Sequence, residues 1–221
     1  MLIGFFSGLI AIQKDLSTSF VLALSLSIMF YAAGANIMHI LGLGSLGSLG
    51  VVYLVAKESY RIERIISFTD PFKYKLTTGW QVVQSLYALG SGGLFGMGLG
   101  KSRQKFFYIP EPYNDFIFSI IGEEIGFIGC IIIMLLFIIL VWRGIRIAMN
   151  AADMFGSFTA IGITSIIAVQ VLVHIAVVTS SMPPTGIALP FISAGGTSLV
   201  ILLGSIGILL NISKYSDTYR S

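Results

Sequence analysis

The chain has 221 residues, of which 56% are hydrophobic and only 10% are charged, and its formal net charge is +3. An average soluble domain carries about 25% charged residues, so this composition excludes a soluble enzyme or binding domain and indicates an integral membrane protein. A bilayer core requires about 20 apolar residues per helix. Scanning at that length predicts an all-α, polytopic membrane helix bundle of about six transmembrane helices, with irregular outer-face loops and one domain over residues 1–221.

The predicted spans in chain order are Met1–Gln13 (short), Leu16–Gly34, Asn36–Ala56, Phe116–Trp142, Met154–Ser181 and Thr197–Ile212. The 25 glycines suit membrane helices that approach one another through small residues. Cys130 is the only cysteine and lies in an apolar run, which favours a structural thiol. Gln170 and His174 are one helical turn apart and are predicted to pair with neighbouring helices.

The distribution of Lys and Arg predicts the orientation of the chain. Arg143 and Arg146 follow the fourth span, and short basic loops lie on the cytoplasmic side. The tail with Lys214 and Arg220 comes two spans later and returns to that side. The segment Lys57–Asp115 is then placed on the outer face with eight of the thirteen Lys and Arg residues. An outward, basic, membrane-bound loop suits an anionic lipid headgroup; solvated surface charge is the alternative.

Two irregular segments lie on that predicted outer face. "SGGLFGMGLGKS" is not a phosphate-binding P-loop, because the glycine required before Gly100 falls on Phe95. In the segment Ser180–Ser198, Pro183, Pro184 and Pro190 interrupt any regular helix. Non-helical backbone at membrane depth is tolerated where protein buries it or water lines it. The two segments therefore predict a shared cavity, with a plain connector as the alternative for the second.

The carboxylates near the fourth span are candidates for chemistry. Asp115 stands at its mouth, where a poised carboxylate can act as a general base toward a sugar hydroxyl. Glu111 is the other carboxylate between Lys101 and the membrane entry. Glu123 and Glu124 lie inside the apolar run and require a cavity or a cationic partner; a buried structural ion pair is the favoured interpretation.

Three stretches together carry a family resemblance: "RIERIISFTDP" (61–71), "GWQVVQSLYALGSGGLFGMGLGKSRQKFFYIPEPYNDFIFSIIGEEIGFIG" (79–129) and "PPTGIALPFISAGGTS" (183–198). They resemble the SEDS proteins FtsW, RodA and SpoVE, and the ending "GILLNISKY" is closer to the FtsW and SpoVE branch. The resemblance implies a multi-pass protein of the bacterial plasma membrane, with an extracytoplasmic catalytic loop and a cytoplasmic C-terminus. It implies a peptidoglycan glycosyltransferase that polymerises lipid II during division, elongation or sporulation.

The resemblance also implies partners and site residues. The expected partners are lipid II, a class B penicillin-binding protein transpeptidase and other division or elongation membrane proteins, and no nucleic acid. Asp115 matches the family's catalytic aspartate. With the basic outer loop, the predicted substrate-binding set is Arg61, Arg64, Gln81, Gln84, Ser85, Lys101, Lys105, Glu111, Pro183, Pro184, Thr185, Gly186 and Ser193. No metal ligands are indicated, and a role for a divalent cation such as Mg²⁺ is left open.

The sequence departs from the family in three places. The family's "QPDLGT" reads "QKDLSTS" at Gln13–Ser19, and its histidine two residues before the aspartate is Tyr113 here. The chain resembles only the last six membrane helices of the family, so we expect a truncated gene or a fragment, without the family lysine that pairs with the aspartate. A lipid II flippase and an inactive remnant that binds partner membrane proteins are the alternative functions.

Overall fold

The computed structural model describes residues 10, 15–57, 59–104 and 113–215, and within them helices are the only regular secondary structure. The helices are α1 (Leu16–Ala32), α2 (Ile37–Lys57), α3 (Ser59–Thr69), α4 (Trp80–Ser91), α5 (Ile117–Met149), α6 (Met154–Val178) and α7 (Gly196–Lys214). The predicted all-helical membrane fold is confirmed. The first predicted span, Met1–Gln13, lies outside the described residues except for Ile10.

Three of the described helices, α5, α6 and α7, are long and apolar enough to cross a membrane, whereas α1 and Ile37–Gly50 of α2 are apolar but shorter. Most of α5 and α7 does not pack inside the protein. Of the most apolar 18-residue window, 22% is buried in α5 and 6% in α7. Exposed side chains such as Leu136 and Ile138 would be costly in water. In a bilayer they face lipid tails that are equally apolar.

The chain divides into two compact units, and the first combines Met1–Val52, Phe137–Gln170 and Gly195–Ser221. Its buried residues Ala148, Ala160 and Leu209 form a small cluster between α5, α6 and α7. Helices α5 and α6 approach so closely that a Cβ on Gly144 would collide with the side chain of Thr164. Small residues therefore determine the helix packing in this unit, as the glycine content predicts.

The second unit combines Tyr53–Leu136 with Val171–Ala194. Helix α4 lies in its core: Val82, Val83 and Ala88 are almost completely buried. The Ser85 hydroxyl donates to the carbonyl oxygen of Val178 at 2.9 Å, which fastens α4 to the end of α6. The segment predicted as an outer-face loop thus contains two helices, α3 and α4. With 11 and 12 residues they are too short to be detected as spans.

Helix α5 is interrupted at Gly126, where φ is +73° and ψ is −171°. The backbone groups freed by this break are paired with the loop that follows α4. Two loop N–H groups, of Met97 and Gly98, donate to the carbonyls of Glu123 and Glu124 at 2.9 and 3.0 Å. In the opposite sense, the N–H groups of residues 127 and 128 donate to the carbonyls of residues 93 and 94. The break therefore leaves these backbone groups satisfied, as a membrane environment demands.

Candidate active site

Asp115 occupies the turn directly before α5, and its side chain is partly buried. The neighbouring Phe116 is 1% exposed, so the aromatic ring anchors the start of the helix in the core of the second unit. The carboxylate thus lies at the start of an apolar helix whose position is fixed by the buried Phe116. That position is the one the sequence predicted for a general base.

A loop before α7 holds the turn that carries Asp115. The Ser193 hydroxyl accepts a hydrogen bond from the N–H of Leu189 at 2.8 Å and donates one to the carbonyl of Asn114 at 2.8 Å. The N–H of Ala194 donates to the carbonyl of Tyr113 at 2.9 Å. Ser193 was predicted to bind substrate; its contacts place it in a positioning role for the residue beside Asp115.

Phe191 in the same loop has φ of +66°, a left-handed conformation that a bulky side chain rarely adopts. Strained residues of this kind cluster at active sites and ligand-binding segments, where the surrounding structure enforces them. Here the strain falls between Leu189 and Ser193, which are joined by the hydrogen bond from the Leu189 N–H to the Ser193 hydroxyl. The strained backbone is thus part of the support for that turn.

The segment Pro183–Ile187 passes directly beside the Asp115 side chain. Gly186 has φ of +75°, and a Cβ built on it would lie 3.5 Å from Oδ2 of Asp115. The hydroxyl of Thr185 is buried without a hydrogen-bond partner. A buried hydroxyl of this kind is one that a bound polar group can satisfy. The structure therefore brings Gly186 of the predicted set against the catalytic candidate, and Thr185 precedes it in the chain.

His174 supports that segment from α6. Its Nδ1 lies 2.7 Å from the carbonyl oxygen of Ile187, and because a carbonyl can only accept, Nδ1 must be the donor. The side chain is 1% exposed. The sequence suggested that this histidine pairs with a neighbouring helix; instead it pairs with the non-helical backbone next to Gly186. Only its apolar surroundings hinted that the imidazole needs an internal partner.

Arg64 on α3 reaches the same segment. Its Nη1 lies 3.5 Å from the carbonyl oxygen of Pro184, a long contact, and the residue is otherwise exposed. Arg61 precedes it by one turn on α3, but its side chain lies outside the described part of the chain. Pro183 and Pro184 are themselves partly buried. One predicted cation therefore lies at the edge of the segment that contacts Asp115.

The remaining predicted binding residues are divided between α4 and the loop after it. Gln81 is partly buried, Gln84 is 7% exposed and Lys101 is exposed. Ser85 is fully buried and uses its hydroxyl to hold α4, so its position indicates packing and not substrate contact. The predicted residues Lys105 and Glu111 lie outside the described residues.

Glu123 has a partner set that the sequence did not identify. Its carboxylate accepts from the Ser102 hydroxyl at 2.5 Å and from the backbone N–H groups of Arg103 and Gln104 at 3.0 and 3.3 Å. Glu123 and Ser102 are each 1% exposed. The sequence favoured a buried ion pair for this carboxylate. In the described part of the chain its partners are instead hydrogen-bond donors. The sequence indicates that a carboxylate in an apolar run needs a partner. It does not indicate that this partner is Ser102, which lies 21 residues earlier.

Within the described residues, no group of three or more His, Cys, Asp and Glu side chains lies close enough together to hold a metal ion.

A family sequence model identifies the chain. The model FTSW_RODA_SPOVE, described as "Cell cycle protein", matches residues 1–218. The chain belongs to the FtsW/RodA/SpoVE family. In this family member, two of the stretches that suggested the relationship, 79–129 and 183–198, contain the residues that meet around Asp115.

Two curated relatives of the FtsW/RodA/SpoVE family show how much of the chain is shared. Stage V sporulation protein E of Bacillus subtilis (strain 168) is 55% identical over 208 residues, 94% of this chain and 57% of that protein. The probable peptidoglycan glycosyltransferase FtsW of Trichlorobacter lovleyi is 50% identical over 206 residues, 93% of this chain and 54% of that protein. The chain therefore spans about half the length of these relatives.

Solved structures agree with the fold. The structure entitled "Structural coordination of polymerization and crosslinking by a peptidoglycan synthase complex" matches with a TM-score of 0.74 at 25% identity, over 98% of this chain and 60% of that one. The rod shape determining protein RodA of Thermus thermophilus matches with a TM-score of 0.63 at 24% identity, over 98% of this chain and 55% of that one. The fold is thus that of the family's membrane proteins.

Proposed function

We propose that the protein carrying this chain is a peptidoglycan glycosyltransferase that polymerises lipid II, with Asp115 as its catalytic base. The observation that supports this most directly is the placement of the Asp115 carboxylate at the mouth of α5, against Gly186 of the Pro183–Ile187 segment. The 50% identity to a probable peptidoglycan glycosyltransferase supports the same activity.

The chemistry requires a base beside a sugar hydroxyl. The 4-hydroxyl oxygen of one glycan attacks the anomeric carbon of another, and the bond from that carbon to the polyprenyl pyrophosphate breaks. The hydroxyl proton passes to Asp115, and the pyrophosphate leaves with the bonding electron pair. A positioned base contributes about 10²–10⁴-fold to such a step. The support of the Asp115 turn by Ser193 and Ala194 suits that requirement, because a base must stay within hydrogen-bond reach of the proton.

The pyrophosphate requires cations. Arg64 at the edge of the Pro183–Ile187 segment and Lys101 after α4 are both exposed, and Arg61 and Lys105 belong to the same basic stretch of sequence. A guanidinium can make two parallel hydrogen bonds to a phosphate, which an ammonium cannot reproduce. The hydroxyl of Thr185, the residue before Gly186, is a further donor without a partner in the protein. These groups form the proposed substrate-binding set.

The proposed setting is the bacterial plasma membrane, with the catalytic turn on the extracytoplasmic side and the C-terminus in the cytoplasm. Arg143 and Arg146 at the end of α5 support this orientation, since short basic loops stay in the cytoplasm. The similar solved structure is a peptidoglycan synthase complex that couples polymerization to crosslinking. A penicillin-binding transpeptidase is accordingly the proposed partner.

A lipid II flippase is the alternative, and the break in α5 bears on it. In transporters, unwound helices offer free backbone groups to a substrate near the bilayer midplane. Here the carbonyls of Glu123 and Glu124 at the break already accept from Met97 and Gly98. This pairing favours polymerisation over transport.

The Asp115→Asn variant of the complete gene product tests the proposal in a purified lipid II assay. Asparagine keeps the shape of aspartate but cannot take up the proton, so glycan synthesis should fall about 10²-fold or more, while membrane insertion and lipid II binding persist. Polymerisation at the parental rate would overturn the assignment. Lipid II translocation by a variant that does not polymerise would favour the flippase.

A further inference from the structure

Residues 102–104, which follow the loop after α4, are held by the buried carboxylate of Glu123. Oε2 of Glu123 accepts from the Ser102 hydroxyl and from the N–H of Gln104, and Oε1 accepts from the N–H of Arg103. A second, longer contact joins the N–H of Ser102 to Oε1 of Glu124 at 3.4 Å. A carboxylate that accepts backbone N–H groups forms charge-assisted bonds, roughly twice as strong as neutral ones. Residues 102–104 are thus fixed to the first part of α5.

The same turn carries exposed cations. Lys101 and Arg103 flank Ser102, and both are exposed whereas Ser102 is buried. Arg103, Gln104 and Glu123 also line a cavity of about 450 Å³ against α4. Inside the protein, Oε1 of Gln104 is buried without a hydrogen-bond partner. The hydrogen bonds between Glu123 and this backbone therefore determine the positions of the Lys101 and Arg103 side chains.

We propose that Glu123 is a positioning residue for substrate binding: through Ser102, Arg103 and Gln104 it holds Lys101 and Arg103 where they meet the pyrophosphate of the substrate. This inference rests on the proposed function and adds Arg103 to its substrate-binding residues. Asp115 lies in the turn directly before α5, and Glu123 lies in the second turn of that helix. One rigid element thus carries the base at one end and the anchor of the cations at the other.

Glutamine at position 123 tests the hold with little change of shape. A carboxylate only accepts, whereas an amide has one accepting and one donating end. If the amide nitrogen takes the place of Oε1 it faces the N–H of Arg103, and if it takes the place of Oε2 it faces the N–H of Gln104. Glu123→Gln therefore opposes a donor to a donor in either orientation and should release the turn.

The kinetic test uses the complete gene product and lipid II. Losing binding that the ground state and the transition state share raises KM and leaves kcat unchanged, so Glu123→Gln should raise KM about fivefold or more with kcat within about twofold. If Glu123 acts through the cations, the same substitution on a Lys101→Ala, Arg103→Ala background should change KM by less than about twofold. A fall in kcat at constant KM, or an equal KM effect on both backgrounds, would overturn the inference.

A serine pair supplies the matched control in case Glu123→Gln does not fold. Ser102 and Ser119 are both buried and both donate through their hydroxyls, but Ser119 donates locally, to the carbonyl oxygen of Phe116 just before α5, at 2.6 Å. Ser102→Ala should raise KM in the same direction as Glu123→Gln, and Ser119→Ala should leave KM unchanged. Equal KM values for the two alanine variants would contradict the positioning role.

Hydrogen–deuterium exchange separates this inference from the proposed function. The amides of Arg103 and Gln104 should exchange about tenfold faster in Glu123→Gln than in the parent, because their acceptor is lost. Unchanged amide exchange in Glu123→Gln would show that Glu123 does not fix this turn, whatever the polymerisation activity of the variant. If the parental protein does not polymerise lipid II while exchange rises as expected, the polymerase proposal fails, and with it the link from Glu123 to lipid II binding.

Discussion

The backbone of Gly186 lies beside the carboxylate of Asp115, at a φ of +75° that strains any residue with a side chain. A Cβ there would contact Oδ2 at 3.5 Å and the carboxyl carbon at 3.9 Å. The position of the proposed base therefore depends on a residue 71 places later in the sequence. Changes in this second segment should alter catalysis without touching the base itself.

Gly186→Ala should lower both stability and polymerisation. A side chain in the left-handed region costs about 1–2 kcal/mol, and the new methyl group lies against Asp115. Gly34→Ala is the matched control: Gly34 has φ of +89°, but no neighbouring atom lies within 4 Å of the position that its Cβ would take. Both variants should melt earlier in a thermal unfolding assay in detergent, and only Gly186→Ala should lose kcat. Equal activity of the two would argue against the contact with Asp115.

Ser193→Ala should lower kcat more than it changes KM. Its hydroxyl bridges Leu189 and Asn114, and without it the turn of Asp115 loses one of its two supports from the loop. A misplaced catalytic group costs about tenfold or more in rate. Ser198→Ala removes an exposed hydroxyl that donates only to Gly195 at 2.9 Å, and it should behave as the parent. Steady-state kinetics on lipid II would distinguish the two, and a KM effect alone at Ser193 would indicate direct substrate contact.

His174→Leu should destabilise the protein by about 1–3 kcal/mol, because the carbonyl of Ile187 would be left buried without its donor. His174→Asn places an amide N–H near the position of Nδ1 and should retain part of that stability. Thermal unfolding of the purified variants measures the difference. If leucine and asparagine have the same effect, the hydrogen bond to Ile187 does not support the Pro183–Ile187 segment.

The proposed orientation predicts which sites an impermeant thiol reagent reaches in intact cells. Leu99 and Met154 are both 78% exposed, and they lie on opposite predicted sides of the membrane. Leu99→Cys should react and Met154→Cys should not until the cells are opened. The native Cys130 is buried and gives little background. Labelling of Met154→Cys but not of Leu99→Cys in intact cells would show that the orientation is the opposite of the proposed one. Ser102, which the sequence alone would equally suggest, is too buried to serve as a probe.

The long helices were predictable because they follow from hydropathy alone. Met154–Ser181 and Thr197–Ile212 differ by only a few residues from α6 and α7. The sequence predicts that the fourth span ends at Trp142, but α5 continues to Met149. The guanidinium carbon of Arg146 lies 4.9 Å from the centroid of the Trp142 ring. Arginine is a good helix former and ends a membrane segment without ending the helix.

What the sequence could not predict depends on contacts between distant residues. The break at Gly126 requires partners at residues 93–98, and no local pattern encodes that pairing. The support of Asp115 by Ser193 and the anchoring of Ser102 by Glu123 are likewise separated by 78 and 21 residues. Asp115 itself was predictable, since a polar residue at the mouth of an apolar run is visible in the sequence. Its neighbours were predictable only as motifs, without their roles.

The glycine that interrupts α5 also sets how this helix matches the thickness of a bilayer. An unbroken helix of 33 residues would measure about 50 Å, far more than the hydrocarbon core of about 30 Å. The part after Gly126 retains about 23 residues and measures about 35 Å, enough to cross by itself with a modest tilt. The part before it, with Glu123 and Glu124, is then not needed to cross the hydrocarbon core. A divided helix thus allows the two acids to lie outside the hydrocarbon, and hydrophobic mismatch does not have to be relieved by thickening the membrane.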